Sequence, residues 1–356
     1  MAIKIGLFNH KGGVSKTTTT FNVGWMLAEK GSRVILVDAD PQCNLTGIVM
    51  GYSGPTELER FFENEAERNL RAGLSPAFES RPKAIEGIDC VPVPGRDGLF
   101  LLPGHIRLAE YEVTLGIAQE LSGSLQALQN LPGAMSYLLD RTAERHAADF
   151  VLIDMSPSLS SINQNLLMTS DYFLVPSAPD FYSVMALDSL ANVLPKWRRW
   201  SDQAQKTPTF KDADYPFPSA EPKLLGVVIQ NYRPRAGQPA QAFQRWINKI
   251  DHVAANTLLP NLSAASMVLP TEKYQECGLE QGYRLATIPD FNSLIAASQE
   301  HQTPVFALRA DQMAAGGVIK TQFEESRDKF HEMFSSLTTK ILCLTGYADR
   351  TDTVQE

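Results

Sequence analysis

Apolar residues occur along the chain in short, near-continuous runs separated by longer stretches with helical spacing. Residues 2–8 (AIKIGLF) are a β-branched run that predicts a strand, followed by a glycine-containing turn and a helix over 16–30 that Gly31 closes. Residues 33–38 (RVILVD) are again almost wholly apolar, the pattern of a parallel strand covered by helices on both faces. Runs of the same kind recur at 150–154 (FVLID), 172–176 (YFLVP), 224–230 (LLGVVIQ) and 284–288 (RLATI), most of them separated by helical patterns. Strands alternating with helices predict right-handed crossovers. The expected fold class is therefore α/β: a doubly wound, mostly parallel sheet flanked by helices on both faces, with its ligand site at the carboxyl ends of the strands.

Two stretches depart from that rhythm and read as insertions in a single domain spanning 1–356. Residues 57–86 are charged and helix-prone, whereas residues 201–222 (SDQAQKTPTFKDADYPFPSAEP) are rich in Pro, Asp and Ser and predict a surface loop. A last helix near 321–344 carries Phe323, Phe330, Phe334, Leu337 and Ile341 at helical spacing with charges between, which predicts docking on the core. The sequence contains no internal repeat.

Composition narrows the class. With 356 residues, 44% of them hydrophobic and 20% charged, the chain can bury a substantial core without metal or disulfide staples. It holds no apolar run of membrane-spanning length, and residues 1–8 enter a strand pattern without a secretory signal, so a cytoplasmic protein is expected. Cys43, Cys90, Cys277 and Cys343 lie far apart with no C-x-x-C pair. The expectation is reduced, packed thiols rather than a zinc site or a disulfide framework. Lys and Arg number 32 against 40 Asp and Glu, a net charge of −8, so binding to nucleic acid needs a local basic patch.

The chemistry concentrates between the first strand and the first helix, in Asn9-His10-Lys11-Gly12-Gly13-Val14-Ser15-Lys16-Thr17-Thr18. Phosphate oxygens need several backbone N–H groups aimed inward at a helix N-terminus; glycines let the chain approach closely and a lysine supplies a mobile positive charge. Thr17 offers a hydroxyl to Mg²⁺. The strict G-x-x-x-x-G-K-[ST] pattern is not met, because His10 and Ser15 stand where its glycines belong. The loop resembles instead the deviant Walker A of the ParA/MinD superfamily, K-G-G-x-x-K-[ST]-[ST], with Lys11 as the extra lysine. The resemblance implies a P-loop NTPase of the deviant Walker subgroup. It also implies ATP bound by Lys11, Gly12, Gly13, Val14, Ser15, Lys16, Thr17 and Thr18, with Lys11 reaching across a face-to-face homodimer to the other subunit's nucleotide.

After the second strand, Val37-Asp38-Ala39-Asp40-Pro41-Gln42-Cys43-Asn44 is similar to the family's D-x-D-P-Q-x-N. Alternation places Asp38 and Asp40 on one side of an extended segment. The resemblance implies that Asp38 orders Mg²⁺ through water and that Asp40 orients or activates the water attacking the γ-phosphate. Such a reaction needs mainly charge neutralisation and an in-line nucleophile. Residues 150–154 close four apolar positions with Asp154, the Walker B form; a carboxylate at a buried strand end needs a cation, and Mg²⁺ satisfies it. The following Met155-Ser156-Pro157-Ser158 departs from the family's x-P-P-S at Ser156. Weaker likenesses extend to 102–108, a turn after a strand, to 163–167, the helix after the second switch, and to 288–304, the late strand and loop near adenine. The candidate catalytic residues are thus Lys11, Lys16 and Asp40, the candidate metal ligands Thr17, Asp38 and Asp154, and the candidate adenine-side contacts Asn231 and Pro289.

The same resemblance implies a ParA-type ATPase. ATP drives homodimerisation, the dimer binds DNA without sequence preference, and a ParB-like adaptor on the cargo stimulates slow hydrolysis. A plasmid, chromosome or other cargo is thereby positioned, and the ATP-bound form associates with the nucleoid. Lys196-Trp197-Arg198-Arg199-Trp200 and Arg233 with Arg235 are the candidate phosphate-contacting clusters. The alternative, a MinD-like membrane-associated spatial regulator, calls for a basic amphipathic terminal helix. Residues 347–356 (YADRTDTVQE) are polar and acidic, so no membrane partner is expected. A reductase on the same fold, such as the nitrogenase iron protein, needs cluster-bridging cysteines, and neither Cys90 nor Cys277 has that context. Because the chain starts almost at its first strand, the helix-turn-helix domain of some plasmid ParA proteins is not expected.

Overall fold

The computed structural model describes residues 1–52, 54–121, 126–235, 238–279, 283–312 and 318–347. Its strands are β1 (Ile3–Leu7), β2 (Val34–Asp38), β3 (Val91–Pro92), β4 (Leu99–Leu102), β5 (Phe150–Asp154), β6 (Tyr172–Ser177), β7 (Lys223–Tyr232), the short pair β8 (Pro234–Arg235) and β9 (Gln238–Pro239), and β10 (Arg284–Pro289). Eight of them make one sheet in the order β10-β7-β6-β1-β5-β2-β4-β3, parallel throughout except where β3 meets β4. The helices are α1 (Lys16–Glu29), α2 (Asn44–Met50), α3 (Pro55–Asn64), α4 (Leu70–Phe78), α5 (Glu110–Glu120), α6 (Leu131–His146), α7 (Ser161–Met168), α8 (Phe181–Ala204), α9 (Pro208–Lys211), α10 (Gln241–Val253), α11 (Leu259–Ala264), α12 (Thr271–Glu276), α13 (Leu294–Glu300) and α14 (Val318–Thr345).

The apolar runs follow from burial on both faces. In β2, Ile35 and Val37 enter one core with α4 to α8, α10 and α11, while Val34 and Leu36 enter the other with α1, α2 and α12 to α14. Strand β5 divides in the same way, with Val151 and Ile153 on one side and Phe150 and Leu152 on the other. Helix α1 lies directly on β2 because Gly24 faces Leu36: a Cβ there would come within 2.4 Å of the leucine Cδ2. Among the described residues no helix is long and apolar enough to cross a membrane. The acidic ending over 348–356 lies outside the described residues.

Two expectations change. Residues 201–222 are not a surface loop: 201–204 continue α8, α9 follows, and Phe210, Tyr215 and Phe217 are buried. The Tyr215 hydroxyl accepts a hydrogen bond from Ile85 N at 3.0 Å, so this stretch packs against the other inserted stretch. Three aromatics scattered among polar residues carry little periodicity but enough apolar area to hold the segment down. The second change concerns the thiols. Cys43 and Cys90 are free and buried, but Cys277 and Cys343 are joined in a disulfide across 66 residues, with Cα atoms 5.8 Å apart. Their distance in sequence is closed by α14, which packs Phe334, Leu337 and Ile341 into the core shared with β10 and donates from Lys340 Nζ to Leu285 O at 2.9 Å.

Candidate functional site

The turns after β1, β2 and β5 and the end of β7 surround one cavity of about 1230 Å³. Residues 12–18 line it, together with Asp40, Pro157 and Asn231. Helix α1 enters it without an ordinary cap. Ser15 is left-handed at φ 61° and makes no side-chain capping bond, Gly13 is at φ +72°, and the first turn contains no acidic residue. Uncapped N–H groups at the positive end of a helix are what an anion requires. The buried Lys16 donates from Nζ to Asn9 O at 3.0 Å and Lys11 O at 3.2 Å. Burial lowers its pKa, and Asp154 and Asp40 oppose that shift.

Parallel register sets Asp38 beside Asp154 on adjacent strands. Asp154 is buried and neither carboxylate oxygen has a partner in hydrogen-bond geometry. Burial pushes its pKa well above the usual carboxylate range, the Asp38 charge adds to this, and the nearby Thr17 hydroxyl and Lys16 ammonium act against it. Asp38 is differently placed. Its Oδ2 accepts from Thr46 N at 2.8 Å and Thr46 Oγ1 at 2.6 Å, and the same hydroxyl oxygen accepts from Gly104 N at 3.0 Å. Burial still pushes the Asp38 pKa up to about 6, against the hydrogen bonds from Thr46. Asp40 lines the cavity and accepts from Gln42 N at 2.9 Å.

An orphaned buried carboxylate next to a threonine hydroxyl is an all-oxygen donor set of the kind Mg²⁺ takes. Among the described residues no group of three or more His, Cys, Asp or Glu side chains could hold a metal by itself. The remaining ligands of such an ion are then phosphate oxygens and water, the usual habit of Mg²⁺.

Lys11 does not line the cavity. Its Nζ donates to the carboxylate of Asp180 and, at 3.1 Å, to Ser183 Oγ, both at the start of α8. Asp180 caps that helix by accepting from Ser183 N at 2.8 Å, and the Lys11 ammonium holds its carboxyl below the usual range despite partial burial. Asn231, left-handed at φ 63°, donates from Nδ2 to Ser15 Oγ at 2.8 Å, so the end of β7 touches the phosphate loop. Pro289 pairs with Tyr232 in the sheet and is not part of the cavity wall; Gln299 and Glu300 at the end of α13 are.

The basic clusters fare unevenly. In the first, Trp197 packs on Phe8, Trp200 donates to Gln119 O at 2.9 Å, and the buried Arg198 donates to Ala220 O at 2.7 Å, which leaves Lys196 and Arg199 exposed. Arg233 is exposed, and the Arg235 side chain lies outside the described ones. Sequence reasoning missed Thr46, Asp180, Gln299 and Glu300. Only Asp180 carried a signal, an Asp three residues past the end of β6 and immediately before a helical pattern, which marks an N-cap.

An AAA domain family model matches residues 2–205, more than half of the chain. The chain belongs to this family. Its sequence is also similar to proteins of the ParA family and to ParA-type partitioning ATPases. It is 34% identical over 191 residues to the chromosome-partitioning ATPase Soj of Thermus thermophilus, covering 54% of this chain and 59% of Soj. A Cyanothece McdA–ATP complex superposes with a TM-score of 0.58 at 14% identity, covering 96% of each chain. The structure of pNOB8 ParA bound to nonspecific DNA superposes with 0.53 at 18% identity, covering 97% of this chain and 99% of that one. These two likenesses establish the fold of the AAA domain chain. Its first curated relatives are matched over 65–66% of their own length, a little under two thirds.

Proposed function

We propose that the chain is a ParA-type positioning ATPase that forms an ATP-dependent face-to-face homodimer, binds DNA without sequence preference and releases it on adaptor-stimulated hydrolysis. One observation supports the reading: large apolar side chains stand exposed on the cavity wall and on the segments next to Pro157 and to the Lys11 partner Asp180. Ile106 lines the cavity, Leu159 follows Pro157 by two residues, and Phe181, Tyr182 and Met185 adjoin Asp180, the partner of Lys11; Tyr182 is 69% exposed. Contiguous apolar exposure on a monomer marks an interaction site. A second copy seated on this face covers the rim and closes the cavity together.

In this reading Lys16 and the N–H groups of 12–18 hold the phosphates, and Asn231 with the α13 end faces the base. Asp40 orients the attacking water, and Lys11 leaves Asp180 to meet the other subunit's nucleotide. Thr17 and Asp154, with Asp38 behind them, would hold Mg²⁺, which would supply charge neutralisation on the phosphates. The partition role of the Soj relative and the DNA in the pNOB8 ParA structure support DNA as the track, with cargo carried through a ParB-like adaptor.

Sedimentation with Mg²⁺ and ATP should give a dimer, and with ADP a monomer. Lys11→Ala should weaken the dimer, whereas Asp40→Ala should retain ATP and stay dimeric. Retention on random-sequence duplex should require ATP and fall steeply with salt. A sedimentation coefficient indifferent to nucleotide defeats the reading.

A further inference from the structure

The segment joining Asp154 to α7 is held from behind by one side chain. Asn163, fully buried in the first turn of α7, donates from Nδ2 to the carbonyl oxygens of Ser156 and Ser158, each at 2.8 Å. A carbonyl only accepts, so these two contacts fix which end of the amide faces the turn. Ser158 N also donates to Ser156 O at 3.0 Å, closing a three-residue turn with Pro157 at its apex. Pro157 lines the nucleotide cavity, and its Cβ lies 3.9 Å from the position a Cβ on Gly12 would take. One amide therefore sets the spacing between the turn after β5 and the phosphate loop.

Asn163 is itself anchored. Its backbone N donates to Ser160 Oγ at 3.2 Å, and the neighbouring Ser161 is gripped by α5, with Ser161 N donating to Glu112 Oε1 at 2.5 Å and Gln119 Nε2 donating to Ser161 O at 3.0 Å. The Asn163 Oδ1 is buried without a partner. A polar atom kept in so unfavourable a place calls for an explanation beyond packing. The amide has two hydrogens, and the two carbonyls at 2.8 Å are their nearest acceptors. The hydroxyls of Ser156 and Ser158 lie 2.8 Å from each other and 3.0 and 3.2 Å from the same Nδ2, so they share its hydrogens with the carbonyls.

We propose that Asn163 is a positioning residue for ATP hydrolysis, holding the Ser156–Ser158 turn so that Pro157 stays against Gly12 and the turn meets the terminal phosphate. The proposal rests on the ATPase reading above. On this proposal the turn acts on the third phosphate alone, so the role separates ATP from ADP, a distinction that loss of general packing does not make.

The test uses the full chain and four measurements: ATP affinity, ADP affinity, kcat with KM, and a thermal melt. Asn163→Asp keeps the shape but sets oxygen against two carbonyls. It should lower kcat and the ATP-to-ADP affinity ratio by about tenfold, the loss of roughly one net hydrogen bond or more, with ADP affinity unchanged. Asn163→Ser, which retains one donor, should fall between and stands in if the aspartate variant does not fold. Ser156→Ala with Ser158→Ala leaves the carbonyl contacts intact and should keep the ratio. An unchanged ratio and kcat in both Asn163 variants, or equal loss of ATP and ADP binding, overturns the positioning role. If the unmodified chain neither binds nor hydrolyses ATP, it is the ATPase reading that falls.

Discussion

Replacing Asp154 by Asn should make the ligand-free protein more stable and the nucleotide-bound protein less so. The substitution preserves shape and removes a charge from a site where both oxygens are buried without partners and where Asp38 lies alongside in register. Leaving a buried polar group unsatisfied costs about 1–3 kcal/mol, and more when it is charged. Lys16 loses the support of the Asp154 charge but keeps its bonds to Asn9 O and Lys11 O in the variant, which limits that loss. Because the amide is also buried, the gain is only the surplus due to the charge, about 1 kcal/mol, which at about 2.1 cal/mol/K per residue should raise the melting temperature of a 356-residue chain by roughly 1–2 °C. Saturation with a ligand at 100 times its Kd adds about 2.7 kcal/mol to a chain that binds it. The unmodified chain should collect that gain from Mg²⁺ with ATP, and Asp154→Asn only a fraction of it. Thermal melts of both proteins, with and without Mg²⁺ and ATP and with a chelator control, should therefore cross in rank order. The reasoning fails if the variant melts at or below the unmodified chain without ligand, or if both gain equally from it.

A pH dependence follows from Asp38. Its carboxyl rises from an ordinary 3.8 to about 6 in the folded chain, so between those values the folded state holds the proton more tightly than the unfolded state. Without nucleotide, Asp38 should lower stability by about 3 kcal/mol as pH rises through that window, and the raised carboxyl of Asp154 acts in the same direction. Urea titrations from pH 4 to 7 would show the slope, and stability rising over that range would contradict the assignment. The disulfide gives a separate outcome: a closed loop of 66 residues constrains the unfolded chain. Replacing Cys277 and Cys343 by Ser should cost up to about 4 kcal/mol, read as a lower urea midpoint.

The legible parts of this protein are those where one local need dictates several residues at once. Strands buried on both faces must be apolar at most positions, so β1, β2, β5, β6 and β7 stand out in the sequence, whereas the two-residue β3 has nothing to show. The phosphate loop is visible because glycines, lysine and hydroxyls must follow one another in a fixed order. Features made by distant partners were not visible. Thr46 on Asp38, Asp180 on Lys11 and Cys343 on Cys277 join residues that only the tertiary fold brings together. Residues 201–222 misled for a related reason: their polar majority hides three aromatics that find a cavity only once α6 and α8 are in place.

Helix α8 links two of these distant contacts. It runs unbroken for 24 residues, about 36 Å at 1.5 Å per residue. Asp180, clasping Lys11, sits at its head, and near its tail Arg198 is moored to Ala220 O and to Asp202. Proline at 195, which lacks an N–H, is the weak point of this beam. From that head the helix is a stiff rod as far as residue 195, and the proline stands between it and the contacts to the 205–222 lobe. If Lys11 leaves Asp180 in the proposed dimer, the head of α8 loses its clasp while its tail stays moored, and whatever strain results gathers at that proline.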